Sequence, residues 1–222
     1  MNKNEIKNLE KYIKAIMPAS GEIPEINGYD LYGESFQLNK FLGGDHIIYV
    51  DFKKRYDIDK LIDNTNKSNK SDKEKNEIID NLNKIKSKVG ILIADVSGHD
   101  KTDIVLTNGF HHAFLTGVSY ELKHNGDVSK ELFDTLNTRF SNSSGSSKYF
   151  TLIYMELSQN GEFNFISAGH PLPLIYSYKF EAMCSLHQSS FACSFNSVAI
   201  IDTYFDVLSI CLPVSESLNS AW

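Results

Sequence analysis

A chain of 222 residues with 41% hydrophobic and 12% aromatic content can bury one substantial core, so a single domain is expected. Its formal net charge of -6, from 28 acidic against 22 basic side chains, gives no electrostatic reason to expect nucleic acid or an anionic membrane as a partner. No apolar run approaches the roughly 20 residues that span a bilayer, and the N-terminal stretch MNKNEIKNLEKYIK lacks the apolar centre of a secretory signal, so the chain reads as cytoplasmic. Its three cysteines, Cys184, Cys193 and Cys211, show no CxxC spacing and no adjoining histidine cluster, and read as buried or unpaired thiols rather than zinc ligands or a disulfide framework.

Residues 1–17 form the first predicted element. Ile6, Leu9, Ile13 and Ile16 recur at helical spacing and Pro18 stops the pattern, which predicts an amphipathic helix. Such a helix can pack on its own core or serve as a linker or homodimer contact, and the stripe is too short for a coiled coil. The main domain is placed at 18–179. YDLYGESFQL (29–38) and HIIYVDF (46–52) read as strands joined by a Gly-Gly-containing connection. From 53 to 88 the chain is dense in Lys, Asn, Asp and Ser, and is expected to be a solvated insertion with a short helix near NEIIDNLNKI.

The apolar run that follows, VGILIADV, predicts a buried strand ending at Asp95. Helical periodicity resumes over 101–124 (Phe110, Phe114, Val118, Leu122) and 127–140 (Leu132, Leu136, Phe140), and SNSSGSS interrupts it. YFTLIYMEL and EFNFISAG, separated by SQNG, predict a hairpin, with LPLIY as a short strand after it. Strands, then two helices, then strands imply an α+β sandwich rather than a βαβ repeat. Beyond Lys179 the composition changes: Phe180 to Trp222 contain no Lys or Arg, while all the cysteines and the single Trp lie there.

Two carboxylates stand out for chemistry. Asp45 follows Gly43 and Gly44, and Asp95 ends a strand just before Gly98. A carboxylate where a strand leaves the core is costly unless partnered, and glycine beside it lets carboxylate and main-chain oxygens converge on a hard cation such as Mg2+ or Mn2+. Asp95 taken alone reads first as a strand-end aspartate capping the following helix. Gly-Gly-Asp also occurs in cyclic-dinucleotide synthases, but His46 and Ile47 stand where those would carry Glu-Phe. His111 and His112 project about 100° apart on a helix and so do not share one ion.

In order, LGGDHIIYVDF, ILIADVSGHD, YFTLIYMEL and GEFNFISAGHPLPLIY resemble the SpoIIE-type (RsbU-like) branch of the PPM, or PP2C-like, metal-dependent serine/threonine phosphatases, from about Met17 to about Tyr176. The resemblance implies an α/β/β/α sandwich of two antiparallel sheets flanked by helices, incomplete at its C-terminus. It implies hydrolysis of phosphoserine or phosphothreonine at two Mn2+ or Mg2+ ions, with Asp45 and Asp95 as catalytic metal ligands and the Val96 carbonyl as a further one. His99 and Asp100 would lie around the ions, although Asp100 reads first as the cap of the helix that begins near Lys101, and Gly43, Gly44, Gly98, Gly169 and His170 would shape the site. The implied partner is a phosphorylated anti-anti-sigma (STAS-like) protein in a partner-switching pathway.

One departure bears on activity. The family's later motif, Gly-Asp with an apolar strand ending Thr-Asp-Gly, supplies another metal-binding aspartate, and no such aspartate appears in VLSICLPVSESLNSAW. Asp202 ends an apolar run but lacks the glycine. With the change at 180, this points to a tail (180–222) where the native frame is lost, a doubtful second metal, and, as an alternative function, a pseudophosphatase binding module or truncated product.

Overall fold

The computed structural model describes residues 4, 5, 7, 8, 11, 23–35, 45–97, 103–143, 148–177, 182–184, 193–194, 198–201 and 206–211. Residues 4, 5, 7, 8 and 11 are helical, as the N-terminal periodicity predicts. The remaining elements run β1 (Asp30–Ser35), β2 (His46–Asp51), α1 (Phe52–Arg55), α2 (Ile58–Asn66), α3 (Asp72–Ile85), β3 (Lys88–Val96), α4 (Asp103–His124), α5 (Lys130–Ser143), β4 (Phe150–Ser158), β5 (Glu162–Ala168), β6 (Leu174–Ser177), β7 (Ala182–Cys184), β8 (Cys193–Ser194), β9 (Val198–Ile201) and β10 (Asp206–Cys211).

The strands form two five-stranded sheets, ordered β2-β3-β4-β5-β8 and β1-β10-β9-β6-β7, and every strand pairing within them is antiparallel. Period-two alternation gives the first sheet two apolar faces. Ile48, Val50, Leu92, Ala94, Leu152 and Tyr154 point to one side, where Phe110, Phe114, Val118 and Leu122 of α4 and Leu132, Phe133 and Leu136 of α5 cover them. Ile47, Tyr49, Ile91, Ile93, Ile153, Met155, Leu157 and Phe163 point to the other side, packing with Ile26 and with the partly buried Tyr29 and Leu31. Leu31 lies in β1, so the second core lies between the sheets.

The lysine-rich segment differs from expectation. Residues 53–88 do not form a solvated loop: α1, α2 and α3 occupy most of it. Each starts on a side-chain cap, with Asp51, Asp57 and Ser71 accepting from the backbone N–H three residues on, and Ser71 with Glu74 makes a full capping box. Ile78, Leu82 and Ile85 recur at i, i+4 and i+7 and are buried with Ile58 in the helix-side core. Few apolar residues suffice when they all fall on one stripe; the charged remainder is the solvated side of the same helices.

The tail also contributes structure. β9 and β10 lie between β1 and β6, with Asp30 to Ser35 paired to Cys211 back to Asp206. The β1 edge that a missing C-terminus would open is therefore paired.

Candidate metal centre

The candidate centre is built by strand register. His46 pairs with Ala94, which sets the preceding Asp45 opposite Asp95 at the end of the β2–β3 ladder. Asp95 in turn pairs with Thr151 on β4, and Gly169, just past β5, bridges to the next residue, Leu152. Asp45, Asp95 and Thr151 thus form a cross-strand row sharing the parity of Ile47, Ile93 and Ile153, on the face turned to the second sheet. Asp45 is half-buried and Asp95 exposed, as access to a substrate requires.

Two like charges directly opposite each other destabilise an antiparallel pair. A hard cation between them reverses the sign, and a donor set of carboxylate oxygens suits Mg2+ or Mn2+. Carboxylate oxygens at positions 45 and 95 and the carbonyl of Val96, the buried last residue of β3, are chemically of the kind that a hard cation takes. Among the described residues no group of three or more His, Cys, Asp or Glu side chains is placed to hold an ion. The expected neighbours Gly43, Gly44, Gly98, His99 and Asp100, and the substitute Asp202, lie outside the described residues.

The rim has its own order. Gly169 adopts φ +71, the left-handed region that glycine enters without strain, and bridges to Leu152. That turn delivers His170 back to β4, where its Nδ1 lies 3.1 Å from Thr151 Oγ1, while Ser167 Oγ donates to the His170 carbonyl at 2.8 Å. His170 is thus fastened to the neighbour of Asp95 in the row. On the other flank Ser97 N–H donates to Tyr149 O at 2.8 Å and Tyr149 N–H donates to Ser97 Oγ at 2.9 Å, holding the strand end beyond Val96. Lys148 Nζ sits 3.0 Å from a carboxylate oxygen of the buried Asp103, tying the start of α4 to the approach to β4.

A contact not anticipated from the sequence lies beneath the row. His46, 1% exposed, faces the helices with its Nε2 2.8 Å from His111 Nδ1. Burial lowers the pKa of His46 to about 3, with the adjacent His111 acting in the same sense, and lowers that of His111 to about 4, with His112 and Arg55 contributing. Both imidazoles are neutral at pH 7. His112 projects elsewhere, in keeping with the angular argument for two adjacent helical positions. Only the antiparallel register and the docking of α4 bring positions 46 and 111 together, so the sequence carries no local signal for the pair.

With this geometry in place, comparison with known proteins is informative. The family model of stage II sporulation protein E (SpoIIE) matches residues 86–208, more than half of the chain, and the protein belongs to that family. The match continues through most of the tail to β10. No match was found among curated proteins.

Among solved structures, the RsbU and RsbW domains of Rv1364c from Mycobacterium tuberculosis superpose with a TM-score of 0.52 at 16% identity, over 81% of this chain and 44% of that one. The SiaA-PP2C domain of Pseudomonas aeruginosa gives 0.49 at 11% identity over 89% and 65%, and RsbX in complex with magnesium gives 0.46 at 13% over 81% and 75%. The chain spans less than two thirds of the length of the first two. The α+β fold with two antiparallel sheets is that of PP2C-type phosphatases.

The resemblance also clarifies the departure in the tail. The family match ends within β10 (Asp206–Cys211). The residues after it are Leu212, Pro213 and Val214, where the motif has Thr-Asp-Gly.

Proposed function

We propose that this chain is a PPM-type protein serine/threonine phosphatase domain that hydrolyses phosphoserine or phosphothreonine on a signalling protein. The observation that supports the reading is the last pair of the β2–β3 ladder, His46 with Ala94, from which the chain runs on to Asp45 on one strand and Asp95 on the other. When bound, Mn2+ or Mg2+ supplies Lewis acidity, which acidifies water and offsets negative charge on phosphoryl oxygens. The chain's own part is positional. Asp45 and Asp95 are fixed relative to each other by the ladder, and the Val96 carbonyl and Asp95 come from adjacent residues of one strand end, so the oxygens are preorganised. Thr151 and His170 form the adjoining rim and orient what enters beside Asp95.

The partner we propose is a phosphorylated STAS-type, anti-anti-sigma-like protein in a partner-switching pathway, in keeping with the motif resemblance and SpoIIE membership. The second reading is a pseudophosphatase that binds such a protein without turnover. Leu212-Pro213-Val214 in place of the last acidic motif favours it, because a two-metal centre short of one carboxylate loses the weaker ion first.

The deciding experiment pairs Mn2+-dependent hydrolysis of p-nitrophenyl phosphate and a phosphoserine peptide with calorimetric Mn2+ binding, in the native chain and in Asp95→Asn. Turnover and Mn2+ binding that both disappear in the variant establish the phosphatase. Binding of Mn2+ without turnover establishes the pseudophosphatase. Mn2+ binding unchanged in Asp95→Asn removes Asp95 from the centre and sinks both.

A further inference from the structure

We propose that the groove between α1 and α4, on the helical side of the first sheet, binds a phosphate group. It has a volume of about 500 Å³ and is lined by Arg55, Tyr56, His112, Thr116, Ser119 and Lys123 among others. His112, Thr116, Ser119 and Lys123 follow one another at four-, three- and four-residue steps, so they form one exposed stripe of α4, and Arg55 at the end of α1 closes its side.

Three features suit this stripe to an anion. In a chain with 28 acidic residues, none of the described residues that line the groove is acidic. Arg55 and Lys123 make no ion pair with a carboxylate among the described residues, and both line the same groove. Arg55 acts electrostatically on His111, so its positive field reaches this part of α4. Unpaired cations held together repel, and an anion relieves the repulsion.

The donor chemistry selects which anion. A guanidinium presents a planar fork matched to phosphate oxygens, an ammonium adds a point charge, and imidazole N–H with the Thr116 and Ser119 hydroxyls supplies neutral donors to the remaining oxygens. The groove's volume exceeds what one inorganic ion fills and falls within the range of small-molecule sites. The occupant we infer is therefore a phosphate monoester on a phosphorylated protein segment, with inorganic phosphate as the other source of the same chemistry. The site lies across the sheet from Asp45 and Asp95, so it is separate from the centre described above and does not rest on its being catalytic.

The test is an amide NMR titration of the full chain in EDTA at constant ionic strength, with inorganic phosphate, with a phosphoserine peptide and with the same peptide unphosphorylated. EDTA keeps divalent cations from Asp45 and Asp95, so an inactive or metal-free centre leaves this result unaffected. Saturable shifts at Arg55, His112, Thr116 and Lys123 are expected, weakened at least about tenfold in Arg55→Gln/Lys123→Gln, whose exposed side chains leave the core untouched. Response to the phosphopeptide alone identifies a phosphoprotein as the source, and response to inorganic phosphate as well identifies a general phosphate site. Absence of saturable shifts, equal binding of the unphosphorylated peptide, or unchanged affinity in the double variant overturns the proposal.

Discussion

Leu82→Ala tests whether the lysine-rich segment is part of the fold. Leu82 is 0% exposed in α3 and belongs to the helix-side core, together with Ile78 and Ile85. Truncation removes three carbons, about 2.4 kcal/mol of transfer free energy at about 0.8 kcal/mol each. The cavity left in a close-packed core adds to this, giving roughly 2.7–5 kcal/mol. For a domain of this size each kcal/mol lowers Tm by about 2–4 °C, so a fall of roughly 5–20 °C is expected. The assay is thermal and urea unfolding followed by circular dichroism, with the exposed Lys73→Ala on the same helix as control, expected within about 0.5 kcal/mol of the parent. If Leu82→Ala behaves like Lys73→Ala, the segment is solvated and the packing argument for α2 and α3 is wrong.

Three further outcomes are expected. Gly126 has φ +74, and a Cβ there would collide with the Ile78 carbonyl oxygen, so Gly126→Ala should cost about 1–3 kcal/mol or more in urea unfolding by straining the turn where α4 ends against α3. His111 has its pKa lowered to about 4 in the folded chain, so the unfolded chain binds its proton first as pH falls. The stability this group contributes is complete above about pH 6.5 and is lost between there and about pH 4, and His111→Phe should flatten the urea midpoint over that window. Removing residues 193–222 takes away β9 and β10 and leaves β1 unpaired, so the truncated chain should associate in sedimentation velocity where the full chain does not.

Much of this architecture is local in origin. Apolar and aromatic runs in HIIYVDF, VGILIADV and YFTLIYMEL predicted strands that the structure bounds within a residue or so, and Phe110, Phe114, Val118 and Leu122 marked the buried stripe of α4. The tail was less legible: its loss of Lys and Arg read as a lost frame, yet β7 to β10 take places in both sheets and the family match reaches residue 208. A strand that pairs with β1 needs apolar, extended-prone residues and no particular charge, so composition was a poor guide there. The insertion misled for the converse reason, because composition averages over a helix whose burial depends on three positions.

The sequence by itself determined the order and kind of the elements, the face each strand residue takes, and the resemblance that singled out Asp45 and Asp95, because periodicity and motif order are properties of neighbouring residues. The tertiary structure decided which distant residues meet. The β2–β3 register set Asp45 beside Asp95 across an intervening helical segment, the docking of α4 put His111 on His46, and the turn into α1 brought Arg55 to the stripe that ends at Lys123. Register and helix docking are set by burying whole faces against one another, a long-range balance that no window of sequence contains.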